Sequence, residues 1–265
     1  MKDFFADKVA VVTGAGSGIG RALAADLVTR GAFVILVARG EERLKELSDE
    51  LGKDNTAVCP ADVTKFSELK RIAQWVKDEK GRIDILVNCA GIFKTGSLSE
   101  LSTDVIEEVM AVNVNGTISS IKAFLPYMKE QGSGHIVVLS SLAGRVAFPG
   151  CAAYASSKFA LYGFVNTVRP ELQKSGIKIL GVYPSFVDSP LVEGHMDSVK
   201  QSLFFRLTKG FSTEKVSRSI LKGIEKNKRE IVLPGSLSLT ASLYSLFPRP
   251  IEAVVGLLHG GWPRL

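Results

Sequence analysis

The amino-acid sequence predicts an α/β fold, in which a doubly wound parallel β-sheet of about seven strands is flanked by helices on both faces. Two observations lead to this expectation. Short runs rich in Val and Ile alternate with longer segments of helical periodicity, which is typical of βαβ units around a buried parallel sheet. Glycine-rich or polar motifs follow several of these runs, and ligands in such folds bind at the carboxyl ends of the strands.

The predicted elements alternate along the chain. Pro170 lies late in the helix that begins near residue 152, where a proline is expected to kink the helix or end it early. Asn113 and Gly116 are poor residues for the interior of the long helix predicted around them. The predicted strands are 8–13, 33–38, 56–59, 85–87, 135–139, 177–183 and 230–233, and the predicted helices are 19–30, 41–51, 65–80, 103–130, 152–172 and 213–226.

The composition argues against several functional classes. Cys59, Cys89 and Cys151 are isolated, so they indicate neither a disulfide framework nor a metal site, and they fit a reducing, cytoplasmic compartment. The 3 histidines lie far apart, which also gives no metal site. The net charge of +6 is dispersed, which argues against a nucleic-acid groove and favours weak attraction to anionic cofactors or lipid surfaces. Charges close to the amino terminus argue against a secretory signal.

A glycine-rich turn, with the sequence TGAGSGIG from Thr13 to Gly20, connects the first predicted strand to the first predicted helix. At such a junction the free backbone N–H groups and the positive end of the helix dipole bind anions. The spacing differs from the commoner G-x-G-x-x-G fingerprint, so the inference depends on the position of the turn in a β-α-β unit. We expect the turn to bind phosphate.

Arg39 follows the second predicted strand, at the position where dinucleotide-binding folds distinguish two cofactors. An acidic residue there binds the ribose 2′-hydroxyl of NAD, whereas a basic residue suits the 2′-phosphate of NADP. Glu41 and Glu42 fall inside the next predicted helix and are expected to face solvent. The sequence therefore favours NADP over NAD. Because Ser17 in the glycine turn is not basic, Arg39 is expected to hold the 2′-phosphate with little help.

Tyr154 and Lys158 lie four residues apart at the start of a predicted helix, so that their side chains share one face. A neighbouring ammonium favours the phenolate, and a lowered phenol pKa suits acid–base catalysis at a hydroxyl or carbonyl group. Ser140 and Ser141, at the end of the preceding strand, are placed to donate a hydrogen bond to the same oxygen. A tyrosine and a lysine at this spacing are, on their own, more often structural, so the assignment of a catalytic role depends on the other motifs.

These motifs together resemble those of the classical short-chain dehydrogenase/reductase family, in order and in spacing. The resemblance extends strongly over about residues 6–190 and loosely over 210–235. It implies a Rossmann-like fold, hydride transfer between NADP(H) and an alcohol/carbonyl pair, and assembly as a homodimer or homotetramer through helices 103–130 and 152–172. The motifs are Thr13-Gly14-x-x-x-Gly18-x-Gly20, Asn88-x-Ala90-Gly91, Asn113, Ser141 and Tyr154-x-x-x-Lys158.

The resemblance also implies roles for individual residues. Ser141 and Tyr154 would polarise the carbonyl, and Tyr154 would supply the proton. Lys158 would lower the Tyr154 pKa and hold the nicotinamide ribose, while Asn113 would anchor a water that connects Lys158 to solvent. Ser185 departs from the family, which usually has Pro-Gly at residues 184 and 185. The implied cofactor contacts are Gly14, Ser17, Gly18, Ile19, Gly20, Arg39, Asp62, Val63, Asn88, Ala90, Gly91, Tyr154, Lys158, Pro184 and Val187.

The domain expected from this resemblance covers residues 1–235, with a substrate lid at about 190–212. Apolar residues in the lid favour a hydrophobic ketone, such as a 3-oxoacyl chain, a steroid or a keto-lipid, although they would equally suit packing on the core. A non-catalytic dinucleotide-binding regulatory or scaffold protein is the alternative, and the presence of both Tyr154 and Lys158 counts against it.

Residues 236–265 form an apolar extension beyond the usual end of the family, in two helical pieces that prolines interrupt. Each piece is too short to span a bilayer. Three interpretations stay open for it: a peripheral membrane contact through residues 236–258, a hydrophobic arm on a partner subunit, and an ordinary packed extension.

Overall fold

A seven-stranded parallel sheet forms the centre of the computed structural model, which describes residues 3–191, 210–244 and 246–258. The predicted lid thus lies mostly outside the described residues. The strands are β1 (Val9–Thr13), β2 (Phe33–Ala38), β3 (Thr56–Pro60), β4 (Ile85–Asn88), β5 (Gly134–Leu139), β6 (Ile177–Pro184), β7 (Val187–Asp188), β8 (Phe211–Ser212) and β9 (Glu230–Leu233). The order in the sheet is β3-β2-β1-β4-β5-β6-β9, and β7 pairs with β8 separately. This confirms the predicted fold class.

Helices cover both faces of the sheet, as the sequence predicts. Most predicted bounds agree with the structure to within one or two residues. The helices are α1 (Gly18–Thr29), α2 (Glu41–Leu51), α3 (Phe66–Lys80), α4 (Thr103–Met110), α5 (Gly116–Gln131), α6 (Ala152–Gln173), α7 (Thr213–Glu225), α8 (Leu237–Leu243) and α9 (Pro248–Leu258).

The core forms two layers because side chains alternate along the strands. In β1, Ala10 and Val12 pack on one face of the sheet against α1, α2 and α7. Val9 and Val11 pack on the other face against α3, α5 and α6. Each central strand is therefore buried on both sides, which explains why these strands consist of continuous apolar runs without polar alternation.

The predicted helical segment 103–130 is present, and it contains a π-helical turn that the sequence did not predict. Residues Ala111–Asn115 form a π-helical turn between α4 and α5. Such turns insert an extra residue into a helix and frequently occur at functional sites. The turn explains how Asn113, a poor helix former, is fully buried in the middle of a helical segment.

Pro170 does not end α6 early, which was one of the two effects expected of it, because the helix continues to Gln173. A proline removes the hydrogen bond to the carbonyl four residues earlier, which here belongs to Asn166. Asn166 and Pro170 are both exposed, so water can reach that carbonyl. Leu161, Val165 and Leu172 hold the opposite face of α6 in the core.

The topology brings the predicted site residues together. Strand β1 lies between β2 and β4, and the chain crosses to opposite sides of β1 to reach them. A cleft therefore opens at the carboxyl ends of β1 and β4, where ligands bind in doubly wound folds. The glycine turn follows β1, Arg39 follows β2, Asp62 follows β3, and Ser141 follows β5 by two residues.

The carboxyl-terminal extension packs on the domain through α8. Ala241 is buried, and Leu237 and Tyr244 pack on the same cluster. Four apolar residues of this region are exposed on the other side: Leu239, Leu243, Leu246 and Phe247. None of the helices within the described ranges is long and apolar enough to cross a membrane.

Candidate active site

The glycine turn is held against the segment that follows β4. Gly14 has φ +69°, and an added Cβ would lie 2.7 Å from the Ala90 nitrogen. The Thr13 hydroxyl accepts a hydrogen bond from that same Ala90 N–H at 3.3 Å. A Cβ on Gly20 would overlap the Gly14 carbonyl. Glycine is therefore required at both positions by backbone contact.

The first turn of α1 offers its backbone N–H groups to a ligand. Ser17 is the N-cap residue of α1, and within this fully described helix its side chain makes no capping hydrogen bond. Uncapped N–H groups at a helix N-terminus bind phosphate, because the helix dipole is positive there. Ile19 packs on the core beneath the turn, so only its backbone can serve a ligand. The donor set fits a dinucleotide pyrophosphate.

One cleft runs from the glycine turn to the ends of β2, β3 and β4. It contains seven of the predicted cofactor residues, namely Gly14, Ser17, Arg39, Asp62, Val63, Ala90 and Gly91. The lining also includes residues that the sequence argument did not name: Gly16, Ala38, Gly40, Arg43, Ala61, Ile92 and Val112.

Arg43 is the most informative of the residues that sequence reasoning missed. It lies one helical turn after Arg39 and lines the same cleft. Both arginines are exposed, and the charge of Arg39 acts on the neighbouring Asp62, whose pKa it helps to lower. Their i,i+4 spacing was visible in the sequence, but the sequence argument considered only Arg39. Two arginines therefore line the cleft.

Asn88 lies under the cleft and not on its surface. Its side chain is buried and donates a hydrogen bond to the Val137 carbonyl at 3.1 Å, which ties β4 to β5. Gly91 lies between the cleft and the catalytic group, since a Cβ there would be 3.7 Å from Lys158 Nζ. The Asn88–Gly91 segment thus connects the predicted cofactor site to the predicted catalytic residues.

Ser141, Tyr154 and Lys158 form one group, as the sequence predicts. Ser141 lies close enough to Tyr154 for its hydroxyl to oppose the rise in the pKa of the phenol that burial causes. Lys158 Nζ lies over the Tyr154 ring, 5.5 Å from its centroid, and donates to the Leu139 carbonyl at 3.1 Å. Tyr154 and Lys158 are both buried, and both belong to the first two turns of α6.

The pKa of Tyr154 differs from the sequence expectation. Burial raises it to about 12, and the nearby Ser141 hydroxyl opposes that change. The expected lowering by Lys158 does not prevail because the ammonium lies over the ring, and because burial favours the neutral phenol. Burial also disfavours the ammonium and lowers the pKa of Lys158 to about 8. A neutral phenol beside a cationic lysine is therefore the state of this site at neutral pH.

The Asn113 side chain fixes the backbone of Ile92, a residue that lines the cleft. Its amide accepts a hydrogen bond from the Ile92 N–H at 2.8 Å and donates to the Ile92 carbonyl at 3.0 Å. It also donates to the Ser157 hydroxyl at 3.0 Å, next to Lys158 in sequence. These three hydrogen bonds join Asn113 to Ile92 and Ser157 and not to Lys158. The water that would link Asn113 to Lys158 therefore stays a prediction.

The two serines after β5 differ in their contacts. The Ser140 hydroxyl is buried and donates to the Lys158 carbonyl at 3.0 Å, which is the loop support that the sequence argument assigned to it. The Ser141 hydroxyl accepts from the Ala143 N–H at 3.1 Å and approaches the Pro184 carbonyl at 3.5 Å. Ser141 is therefore the serine that faces Tyr154.

The segment after β6 closes one side of the cleft. The Ser185 N–H donates to the Leu233 carbonyl at 2.7 Å, but the buried Ser185 hydroxyl, at the residue that departs from the family pattern, has no hydrogen-bond partner within the described residues. Val187 is buried and pairs with Phe211. The Ser189 Cβ lies 3.5 Å from the place of a Cβ on Gly18, so this segment reaches the glycine turn.

Apolar side chains pack on Tyr154. The Phe93 ring meets the Tyr154 ring edge-on, with 4.7 Å between centroids. Ala143, Phe148, Cys151 and Ala155 complete the cluster. A carbonyl bound to Tyr154 would therefore have apolar neighbours.

The fold and the site together define a class of protein, one that binds a phosphate-bearing dinucleotide at the switch point of a doubly wound sheet and performs acid–base chemistry beside it. The sequence model of the family described as short chain dehydrogenase matches residues 8–199. The chain belongs to the short-chain dehydrogenase/reductase family of NAD(P)-binding oxidoreductases.

Individual relatives agree with this assignment. The chain is 38% identical over 188 residues to an uncharacterized oxidoreductase of Staphylococcus epidermidis, covering 71% of this chain and 81% of the relative. It resembles the structure of a variant of actinorhodin polyketide ketoreductase with NADPH, with 28% identity, a TM-score of 0.79 and coverage of 87% and 97%. A Burkholderia phymatum short chain dehydrogenase/reductase in complex with NAD shares the fold, with 24% identity, a TM-score of 0.82 and coverage of 94% and 96%.

Proposed function

We propose that the chain is an NADP(H)-dependent oxidoreductase that interconverts a hydrophobic ketone and a secondary alcohol. The observation that carries this proposal is the grouping of Ser141, Tyr154 and the buried Lys158, adjoining a cleft with the donor set for a dinucleotide. Nicotinamide dinucleotides supply the hydride in this chemistry, and the protein supplies placement and electrostatics.

Different residues of the cleft would bind different parts of the cofactor. The N–H groups at the start of α1 would hold the pyrophosphate. Asp62 and Val63 would border the adenine, and Arg39 and Arg43 the adenosine ribose. Gly91 and Lys158 would adjoin the nicotinamide half, because a Cβ on Gly91 would lie 3.7 Å from the lysine nitrogen.

Ser141 and Tyr154 would bind and protonate the substrate oxygen. A phenol whose pKa is raised to about 12 remains protonated at neutral pH, so it can donate a hydrogen bond to a carbonyl and then its proton. The cationic Lys158 would stabilise the phenolate formed at that moment, because an adjacent positive charge favours the anionic form. Ser141 would hold the carbonyl oxygen through a second hydrogen bond.

The two arginines support NADP over NAD. We expect Arg39→Ala and Arg43→Ala each to weaken NADPH binding by about 10-fold and NADH binding by less than about 3-fold, because only NADPH carries the 2′-phosphate that a guanidinium binds. The double variant should lose most of the discrimination. Fluorescence titration of both dinucleotides measures this.

The matched control for the arginine variants is Arg218→Ala, which removes one exposed arginine from α7 outside the cleft. It keeps the same net charge as each single variant, so a general electrostatic effect would appear in all three proteins. Equal loss of NADPH affinity in the control, or equal loss of NADH affinity in the cleft variants, would exclude a specific 2′-phosphate site.

The apolar cluster around Tyr154 supports a hydrophobic carbonyl substrate. Phe93 and Phe148 border the tyrosine, and apolar walls favour binding of apolar groups next to the carbonyl. The direct test measures oxidation of NADPH and of NADH by the purified protein, over a panel of ketones of increasing chain length. Turnover that prefers NADPH and rises with chain length is the expected result. Consumption of neither cofactor, with tight NADPH binding, would favour a binding protein without turnover.

The rate should depend on the protonation of Lys158. Because burial lowers its pKa to about 8, the lysine is cationic below this pH and neutral above it. We expect kcat/KM for ketone reduction to be flat from pH 6 to about pH 7.5 and to fall about tenfold per pH unit well above pH 8. NADPH binding, measured separately at each pH, provides the reference. A profile that stays flat to pH 10 would contradict the proposed role of the ammonium.

Two further expectations concern partners. Assembly as a homodimer or homotetramer through the α4–α5 segment and α6 is a prediction that light scattering after gel filtration can test.

Peripheral membrane contact through residues 236–258 is supported by the exposed Leu239, Leu246 and Phe247. Flotation with liposomes, with and without residues 236–265, measures it.

A further inference from the structure

The loop between Ser141 and Tyr154 contacts the carboxyl-terminal extension along much of its length. We refer to residues 142–151 as the connecting loop. Leu142 and Val146 of this loop are buried in one cluster with Ala241 of α8. Leu237 and Tyr244 pack on the same cluster from either end of α8. The extension thus covers the loop that joins two of the catalytic residues.

Polar contacts fix the same loop to the extension. The Tyr244 hydroxyl donates a hydrogen bond to Glu252 at 2.8 Å. Burial raises the pKa of the Tyr244 phenol, and the nearby backbone N–H of Ala147 in the connecting loop opposes that change. Arg145 reaches the Ser242 hydroxyl at 3.4 Å and forms an ion pair with Glu230 at 2.9 Å. Arg145 is 5% exposed, so these partners compensate for a buried cation.

Phe148 joins the extension to the active site. It packs on the cluster that contains Ala241, and also on the cluster that contains Tyr154. Phe148 is partly buried, and its contacts with both clusters restrict its movement because packed side chains leave little free space. The position of Phe148 beside Tyr154 is therefore determined on one side by the extension.

We infer that α8 and Tyr244 are a specificity-determining wall: by holding the connecting loop and Phe148, they set the space available to the apolar part of the substrate beside Tyr154. The inference rests on the proposed function for its substrate, while the packing on which it depends belongs to the chain alone. Leu237 and Tyr244 act through the loop and are positioning residues.

Matched leucine variants on α8 test the wall. Leu237→Ala removes a side chain that packs on the loop cluster, whereas Leu239→Ala, the control, removes one that is 68% exposed. Tyr244→Phe removes only the hydroxyl that binds Glu252 and lies near the Ala147 N–H. Hydrogen exchange of the amides of residues 142–148 is measured first, together with exchange in β1 and β4. We expect about tenfold faster exchange in the loop for Leu237→Ala and Tyr244→Phe, with the sheet unchanged.

The second measurement compares kcat/KM for long and short ketones, with NADPH affinity determined by titration. Leu237→Ala should change the long-to-short ratio by about tenfold, which is the discrimination typical of a pocket altered by one or a few carbon atoms. NADPH affinity should stay within about twofold of the unchanged protein. Leu239→Ala should match the unchanged protein in every measurement.

The outcomes separate this inference from the proposed function. Equal loop exchange in Leu237→Ala and Leu239→Ala would overturn the inference, whether or not any ketone is reduced. Faster loop exchange with an unchanged ketone ratio would overturn the specificity role. If the unchanged protein reduces no ketone with either dinucleotide, the proposed function fails, and the exchange measurement alone decides whether the extension holds the loop.

Discussion

Tyr154→Phe is expected to lower kcat for ketone reduction by about 100- to 10,000-fold, the range over which a positioned acid accelerates proton transfer. The substitution removes one hydroxyl from a ring that packs against Phe93, and the ring itself keeps its contacts. Its partner Ser141 also contacts Ala143 and Pro184, so the loop keeps its other bonds. NADPH affinity and the free energy of unfolding should change little. Stopped-flow measurement of NADPH oxidation under single-turnover conditions gives the rate of the chemical step.

Tyr127→Phe is the matched control, since it removes a hydroxyl that binds Gln74 on the surface, outside the cleft. It should reduce ketones at the unchanged rate. A Tyr154→Phe protein that turns over at more than about a tenth of the original rate would show that another group supplies the proton. The proposed chemistry would then have to be reassigned.

The sheet was predictable from the sequence because parallel strands buried on both faces need continuous apolar runs, and this chain has seven of them at βα spacing. The grouping of the three proposed catalytic residues was predictable for a related reason. Ser141 lies just after β5, and Tyr154 and Lys158 share one face of α6, so local geometry alone places each of them. The topology then brings these local features to one edge of the sheet.

The interior irregularities were not predictable, because tertiary contacts outweigh local propensity. Asn113 is tolerated in a π-helical turn since its side chain satisfies the backbone of Ile92 in a neighbouring segment. Pro170 is tolerated because α6 is anchored by apolar residues on its buried face. Such contacts join residues that are distant in sequence, so propensity alone marked Asn113 as a poor helix residue and Pro170 as a kink or an early helix end.

Properties that depend on how deeply a side chain is buried were also not predictable from the sequence. The spacing of Tyr154 and Lys158 predicts an ammonium near a phenol, but the sign of the pKa shift depends on burial, which no local pattern specifies. Arg43 illustrates the opposite case. Its spacing from Arg39 was visible in the sequence, but only the structure shows that Arg43 lines the cleft.

Gly14→Ala is expected to lower the free energy of unfolding by about 2–5 kcal/mol and to abolish measurable NADPH binding. Two effects combine. The left-handed conformation, φ +69°, costs an alanine about 1–2 kcal/mol. The new methyl group would also lie 2.7–2.9 Å from backbone atoms of Cys89 and Ala90, and such overpacking costs about 1–3 kcal/mol. Because those atoms belong to the backbone, no side-chain rotation can relieve the contact, and the segment after β4 must move.

Gly132→Ala separates the two effects. Gly132 has φ +71°, nearly the same as Gly14, but an added Cβ there meets nothing within 4 Å. Its cost should therefore be about 1–2 kcal/mol from the backbone alone, with NADPH affinity unchanged. The difference between the two variants, measured by urea unfolding, gives the cost of displacing the Cys89–Ala90 segment from the glycine turn. The two variants could instead lose equal free energy of unfolding and both bind NADPH normally. That result would mean that the Cys89–Ala90 segment moves at no cost, and that the close approach of Gly14 to Ala90 does not determine the shape of the phosphate site.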